Sequence, residues 1–219
     1  EVYTIPYGGL CAVVHSCPAE PYQSGDELTV AKWVKTHQGV LDEAKKELGT
    51  IVPMGFDIIL QSKADIISPD QVVADWLKQD SERLQFMMEK VRGRDEYGVQ
   101  ISYATRIIAK QVSEENQEIR RIREEMAVKS PGTVYMYKQK LEKAVNAEIA
   151  GLANGWFQDF YTRVKRHCDN IVIEKTKRVD RNMVMLANLS CLVAKENVTN
   201  LGEELERISN LDGFSIHFS

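Results

Sequence analysis

The sequence has 219 residues, of which 43% are hydrophobic and 27% are charged, and its formal net charge is −4. These values are typical of a globular protein, and the length suits one large domain or two small ones. The negative charge argues against nucleic-acid binding, because phosphate recognition requires a basic surface. No apolar run approaches the ~20 residues of a membrane-spanning helix, so we expect no membrane segment.

Cysteine and histidine residues give no sign of a metal or cofactor site. The four cysteines lack C-x-x-C pairing and zinc-like spacing, which predicts free thiols in a reducing cytoplasm. The four histidines lie on different predicted elements, and none has a second ligand at metal spacing. These residues are Cys11, Cys17, Cys168, Cys191, His15, His37, His167 and His217.

The N-terminal part begins with a strand pair and a helix. Tyr3 to His15 is typical of a hairpin that turns at Gly8-Gly9. A helix is predicted from about Asp26 to Leu48, followed by Gly49 as its C-terminal cap. His37 lies in the apolar stripe of this helix, and we interpret it as a packed helix residue rather than a ligand.

A further strand and helix are predicted before the middle of the chain. Ile51 to Leu60 has the composition of a strand whose start lies at an edge, because Pro53 cannot donate a ladder hydrogen bond. Ser68 and Pro69 suit the N-cap and first position of a helix that ends at Gly93.

The longest predicted feature is a helical hairpin over residues 106–168, folded back at Ser130-Pro131-Gly132. Apolar residues recur at spacings of three and four on both arms, which places them on one stripe of each helix. The stripes consist of Ile108, Val112, Ile119, Ile122 and Met126, and of Leu141, Val145, Ile149, Leu152, Trp156, Phe160 and Val164. With a rise of about 1.5 Å per residue, the second arm should reach roughly 50 Å as part of an antiparallel coiled coil.

The elements around this hairpin predict the fold class. A strand at Tyr97 to Tyr103 precedes it, and two strands, a helix capped by Asn197 and a final strand from Phe214 follow it. This is the order of a ferredoxin-like sandwich with a helical hairpin in place of one helix. We therefore predict an α+β protein with a smaller α+β domain at residues 1–94 and a modified ferredoxin-like domain at residues 95–219.

No catalytic constellation is recognisable. The sequence lacks G-x-G-x-x-G, G-x-x-x-x-G-K-[ST], H-E-x-x-H and G-x-S-x-G motifs. His167-Cys168-Asp169 combines a base, a thiol and an acid, but adjacent residues on a helix point in different directions and cannot form a triad. We therefore predict no catalytic, cofactor-binding or metal-binding residues.

Three consecutive bulky residues near the hairpin turn are the candidate partner-binding site. Tyr135, Met136 and Tyr137 cannot all face the other arm, so at least one must point outward. Core packing explains these residues less well than it explains Trp156 and Phe160. We therefore expect this part of the hairpin to contact another protein.

Five stretches, in order along the chain, resemble motifs of the F/L-type gas vesicle proteins. They are Leu10-Cys11-Ala12-Val13-Val14, His37-Gln38-Gly39-Val40-Leu41, Val52-Pro53-Met54-Gly55-Phe56, Glu96-Tyr97-Gly98-Val99 and Ser130-Pro131-Gly132-Thr133-Val134-Tyr135. Two departures stand out. The family usually has Arg-Phe-Gly where this chain has Gly55-Phe56-Asp57. It also usually has a Gly-Pro-Trp-Pro-Pro-Tyr tail after the last strand, where this sequence stops at Ser219.

The resemblance implies a two-domain α+β protein with a ferredoxin-like element in each part, a coiled-coil portion and no catalysis. It also implies a structural or assembly role in gas vesicles, the hollow protein shells in the cytoplasm that give aquatic microbes buoyancy. The implied partners are the hydrophobic shell subunit and other vesicle accessory proteins.

Two binding modes and one alternative function remain open at this stage. A partner helix could lie against the hairpin stripe, or a partner strand could add to an exposed sheet edge. The alternative function is a regulatory protein that senses a small molecule, which requires a pocket with convergent polar groups.

Overall fold

The computed structural model describes residues 1–55, 58–61 and 67–219. The chain divides into two compact units, Glu1–Gly93 and Arg94–Ser219. That each unit folds as an independent domain stays a prediction, which separate expression of the two parts would test.

The N-terminal unit contains a two-stranded antiparallel sheet and three helices. The strands are β1 (Val2–Tyr7) and β2 (Leu10–His15), and the helices are α1 (Glu27–Leu48), α2 (Pro69–Gln79) and α3 (Ser81–Val91). The turn between the strands uses Gly8 and Gly9, both at positive φ, as the sequence predicts. The unit's core consists of Ile5, Val73, Leu77 and Leu84, with Tyr3, Tyr7, Leu10, Ala12 and Val14 packed against it.

The predicted ends of α1 are confirmed. The carboxylate of Asp26 accepts hydrogen bonds from the backbone N–H groups of Leu28 and Thr29, at 3.3 and 3.1 Å. At the other end Gly49 adopts a φ of 81°, and its N–H donates to the carbonyl of Lys45. Both ends therefore follow from local hydrogen bonding.

The prediction of a strand at Ile51 to Leu60 is wrong for the residues that the structure describes. None of residues 51–55 or 58–60 is in a strand, and Phe56 and Asp57 lie outside the described residues. Apolar content alone does not make a strand, because its backbone groups need a partner strand. Met54 and Leu60 instead pack their side chains against the core of the unit.

The single helix predicted between Ser68 and Gly93 is two helices. The break lies at Asp80, where φ is −98° and ψ is 6°. The N–H of Asp80 donates to the carbonyl of Trp76, and its carboxylate binds Arg83 of the next helix. Asp80 therefore bonds to the preceding turn through its backbone and to the following helix through its side chain, which locally favours ending one helix and beginning another.

The C-terminal unit contains a four-stranded antiparallel sheet in the order β4-β5-β3-β6. These strands are β3 (Arg94–Ala104), β4 (Asn170–Ile173), β5 (Met183–Ala194) and β6 (Phe214–Phe218). The first and third strands of the unit are central, and the second and fourth form the edges. This is the order of a ferredoxin-like sandwich, so the predicted α+β fold class is confirmed.

One face of this sheet is covered by helices. Val99 lies opposite Leu189 in the β3–β5 register, and neither side chain is accessible to solvent. Phe160 and Val164 pack on this face, as do the apolar residues of α7 (Val198–Ser209). Because both central strands carry apolar side chains there, the sheet anchors the base of the helical hairpin.

The helical hairpin has three helices instead of the two predicted. They are α4 (Thr105–Glu115), α5 (Gln117–Ala127) and α6 (Pro131–Lys165). The first arm breaks at Asn116, whose Oδ1 accepts hydrogen bonds from the N–H groups of Glu118 and Ile119 at 2.9 and 3.1 Å. Asn116 is therefore the N-cap of α5, and both helices still bury their apolar stripes against α6.

The second arm agrees with the predicted stripe except at Leu152, which is exposed. The predicted reversal is also displaced. Pro131 and Gly132 are the first two residues of α6, so the chain turns at residues 128–130. Proline suits this position, because the first N–H groups of a helix have no partner within the helix.

Replacing Asn116 with alanine is expected to lower the free energy of unfolding by about 1 kcal/mol, because two N–H groups of α5 lose their acceptor. Urea denaturation followed by circular dichroism measures this change. Asn116→Asp keeps the oxygen acceptor and should remain close to the unsubstituted protein. Equal losses in both variants would contradict a capping role.

Candidate functional site

The turn that connects α5 to α6 is ordered by its own backbone. The carbonyl of Ser130 accepts hydrogen bonds from the N–H groups of Thr133 and Val134 at 2.9 and 3.1 Å. The hydroxyls of Ser130 and Thr133 lie 3.1 Å apart. We call residues 128–137 the hairpin tip. Its geometry holds the first turns of α6 in a defined orientation.

The three predicted partner-binding residues have different surroundings at the hairpin tip. Tyr135 and Met136 are 67% and 68% exposed, whereas Tyr137 is half-buried. The hydroxyl of Tyr137 donates to Oε2 of Glu125 at 3.4 Å, across the hairpin. Tyr137 therefore helps to hold the two arms together, and Tyr135 and Met136 form the outward surface.

The charged groups around Tyr137 are already paired within the hairpin. Arg121 Nε lies 3.0 Å from Glu125 Oε1. The hydrogen bond from Arg121 lowers the pKa of Glu125, and the Tyr137 hydroxyl acts in the same direction. The Lys129 ammonium lies 5.4 Å from the centre of the Tyr137 ring. The outward surface beside these groups can offer an aromatic ring and a flexible thioether to an apolar partner.

The apolar stripe of the hairpin is not available to a partner helix in this structure. Ile119, Ile122 and Ile149 are buried, and Leu141, Ala144 and Val145 pack beside the same cluster. A partner helix could reach this stripe only by separating α5 from α6. The apolar stripes of the two arms are therefore buried against each other. This arrangement does not favour the binding mode in which a partner helix lies against the hairpin stripe.

An edge of the C-terminal sheet remains available for strand addition. Among the described residues β5 is the single partner strand of β4, and Val172 and Ile173 are 48% and 57% exposed. A short edge strand with exposed β-branched residues can pair with a strand from another chain. Sequence analysis did not single out these two residues, although consecutive β-branched residues in a short strand were a usable signal.

The triad-like sequence His167-Cys168-Asp169 has a structural explanation. Asp169 Oδ2 lies 3.1 Å from Arg94 Nε and accepts a hydrogen bond from the N–H of Ala194 at 3.1 Å. Asp169 therefore anchors the start of β4 beside the end of β5. Over the ranges 1–55, 58–61 and 67–219, no three His, Cys, Asp or Glu side chains are placed to hold a metal ion.

One candidate site for a small ligand is a shallow groove on α1. Its volume is about 610 Å³, and it is lined by Ala31, Val34, Lys35, Gln38, Gly39 and Asp42. These residues belong to a single helix surface that is open to solvent. Sites for small metabolites are usually concave and surround most of the ligand. The groove therefore does not favour the sensor alternative.

In the described part of the chain, no helix has the length and apolar character needed to cross a membrane.

The structure is that of an α+β protein with a ferredoxin-like sheet that carries a helical hairpin. The model of the family described as "Gas vesicle synthesis protein GvpL/GvpF" matches residues 1–219. The chain belongs to this family.

Relatives and solved structures agree with this assignment. Gas vesicle protein L of Haloferax mediterranei is 25% identical over 226 residues, covering 100% of this chain and 67% of that protein. Gas vesicle protein L2 of Halobacterium salinarum is 23% identical, with 100% and 78% covered. The crystal structure of GvpF from Anabaena sp. PCC7120 superposes with a TM-score of 0.71 at 18% identity, covering 100% of this chain and 84% of that one.

Proposed function

We propose that this protein is a non-catalytic accessory or minor structural component of gas vesicles. In this proposal it binds the hydrophobic shell subunit and other vesicle proteins during assembly, in the cytoplasm. Its membership of the GvpL/GvpF family over all 219 residues supports the connection to gas vesicles. The exposed pair Tyr135 and Met136 supports the choice of binding surface.

The physical need for such a protein follows from the partner. A shell subunit with one strongly apolar face aggregates in water before it is assembled. A protein that covers part of this face reduces the aggregation and delivers the subunit to a growing shell. This role requires exposed apolar side chains on a stable scaffold, rather than reactive groups.

The hairpin tip has both properties. The backbone hydrogen bonds at Ser130 and the Tyr137–Glu125 contact fix the scaffold, so little order has to be gained upon binding. The Tyr135 hydroxyl accepts a hydrogen bond from Gln139 Nε2 at 2.9 Å, which restrains the ring while its faces stay exposed. Met136 can adapt its shape to an apolar partner. We therefore place the shell-subunit contact at the tip rather than along the buried stripe.

The double substitution Tyr135→Ala/Met136→Ala is expected to weaken shell-subunit binding about 10-fold or more, as loss of an aromatic anchor does at many interfaces. The melting temperature should change little, because both side chains are exposed. Binding is measured by retention of the shell subunit on the immobilised full chain, with other vesicle accessory proteins tested in parallel.

Leu152→Ala is the matched control, because Leu152 is also an exposed apolar residue of α6 but lies away from the tip. This variant should bind normally. Undiminished binding by the double variant would exclude the tip. Loss of binding in Val172→Lys/Ile173→Lys instead would assign the interface to the β4 edge and to strand addition. If neither the unsubstituted chain nor any of its variants retains a vesicle protein, the proposed function itself is contradicted.

A further inference from the structure

Two cysteines that the proposed function does not use lie together at the base of the hairpin. Cys168 follows α6 in the turn that leads to β4, and Cys191 is on the central strand β5. Cys191 has no solvent-accessible surface, whereas Cys168 is half-buried. Both side chains belong to the apolar cluster between the sheet and its helices.

The strand register brings the two residues to the same place. Ile171 lies directly opposite Cys191, and the N–H of Asp169 donates to the carbonyl of Leu192 at 2.9 Å. The backbone next to Cys168 is therefore fixed beside the backbone next to Cys191. Within this frame both side chains pack in the same apolar cluster, and each thiol influences the ionisation of the other. The Cys168 thiol also contacts the carbonyl of Val164 at 3.2 Å.

The two sulfur atoms are not chemically equivalent. The hydrogen bond from the Cys191 thiol lowers the pKa of Cys168, although burial and the Asp169 carboxylate act in the opposite direction. The same hydrogen bond, together with burial, raises the pKa of Cys191. Cys168 is therefore the sulfur that ionises first and that solvent can reach. Reactivity towards oxidants follows thiolate character and access, so Cys168 should react first.

The geometry points to a reversible thiol–disulfide site in which Cys168 reacts with a hydroperoxide and Cys191 then closes an intramolecular disulfide. In the first step the Cys168 thiolate attacks hydrogen peroxide. The S–O bond forms, the O–O bond breaks, and hydroxide leaves and takes up a proton to become water. In the second step Cys191 loses its proton and its sulfur attacks the sulfur of the Cys168 sulfenic acid. The S–S bond forms, the S–O bond breaks, and the departing hydroxide takes up the proton to become a second water.

This disulfide changes how the hairpin is held. It connects the C-terminal end of α6 to β5 by a covalent bond at the point where both enter the apolar cluster. Since the bond restricts the unfolded chain, the oxidised protein should melt about 5 °C higher than the reduced one. The site acts independently of the partner-binding tip, so neither proposal depends on the other.

The test uses the full chain with Cys11→Ser and Cys17→Ser, because both of these thiols are exposed and would be oxidised independently of the proposed site. The chain is treated with hydrogen peroxide, alkylated under denaturing conditions and digested without reduction. We expect a peptide pair joined through Cys168 and Cys191, two thiols lost to alkylation and a higher melting temperature. Dithiothreitol should reverse all three changes.

Two single variants separate the roles of the two sulfurs. In Cys191→Ala the Cys168 sulfenic acid should persist and react with dimedone. In Cys168→Ser the buried Cys191 should stay unoxidised at the same peroxide dose. The proposal is overturned if both thiols remain alkylatable after a dose that oxidises Cys11 and Cys17 in the unsubstituted chain. It is also overturned if only disulfides between separate chains form.

Discussion

Replacing Phe160 with alanine is expected to destabilise the C-terminal unit by about 3–5 kcal/mol. The side chain is 2% exposed, and its ring meets Phe214 edge to face with the centroids 5.1 Å apart. Removal of the ring leaves a cavity between α6 and the sheet, because the surrounding strands cannot collapse into it. The free energy of unfolding of a protein is typically about 5–15 kcal/mol, so this loss is a large part of the total. Urea denaturation followed by circular dichroism measures it.

Phe86→Ala is the control for this prediction, since it removes the same ring from an exposed position on α3. It should change the free energy of unfolding by no more than about 0.5 kcal/mol. Similar losses for Phe86 and Phe160 would show that Phe160 does not anchor the hairpin. A folded Phe160→Ala protein that still binds vesicle proteins would separate hairpin anchoring from partner binding.

Replacing Glu204 with glutamine is expected to lower the free energy of unfolding by about 2 kcal/mol, because hydrogen bonds to charged groups are among the stronger ones in proteins. Its two carboxylate oxygens lie 2.6 Å from Arg163 Nε and 2.7 Å from Arg207 Nη1. The Glu204 side chain is 12% exposed, so water replaces these bonds poorly. The pair with Arg163 connects α6 to α7, whereas Arg207 lies on α7 together with Glu204. The measurement is again urea denaturation, at neutral pH.

The effect should depend on pH with a defined sign. Hydrogen bonds from Arg163 and then Arg207 lower the pKa of Glu204 from its ordinary value of 4.5. A carboxylate with a lowered folded pKa stabilises the protein fully above its unfolded pKa and loses this contribution as the pH falls through the folded pKa. The unsubstituted and Glu204→Gln proteins should therefore differ at pH 7 and converge in acid. A difference that persists at pH 2 would contradict the ionic origin.

Asp159→Asn is the matched control, because Asp159 binds the same guanidinium from an exposed position. Its oxygen lies 3.4 Å from Arg163 Nη1, and its side chain is 61% exposed. Exposed pairs of this kind contribute little, so the change should stay within about 0.5 kcal/mol. If Asp159→Asn lowers the free energy of unfolding as much as Glu204→Gln does, the partly buried pair of Glu204 and Arg163 has no special importance.

Features set by neighbouring residues were predictable from the sequence. Asp26 and Gly49 bound α1, and Ser68 with Pro69 begins α2, because capping depends on groups a few residues apart. The strand order of the C-terminal unit was also predictable, because the succession of strands and helices along the chain is that of a ferredoxin-like sandwich. In that fold the first and third strands are central. The motifs pointed to the right family for the same reason, since they are local patterns.

Competing local bonds explain the errors in the predicted elements. Periodicity predicted a continuous first arm because Ile108, Val112, Ile119 and Ile122 keep their spacing across the break. It could not show that Asn116 would use its side chain to begin a new helix. At residues 51–60 an apolar composition favoured a strand, but composition does not reveal whether a partner strand is present.

The sequence by itself determined that this is an α+β protein with a long helical hairpin, three bulky residues near its turn and no recognisable catalytic motif. Only the tertiary structure decided that Tyr137 faces the other arm while Tyr135 and Met136 face solvent. It also decided that Cys168 and Cys191 pack in the same apolar cluster. The physical reason is the same in both cases. Helix phase and strand register across distant segments place these side chains, and such long-range pairings leave no local signal in the chain.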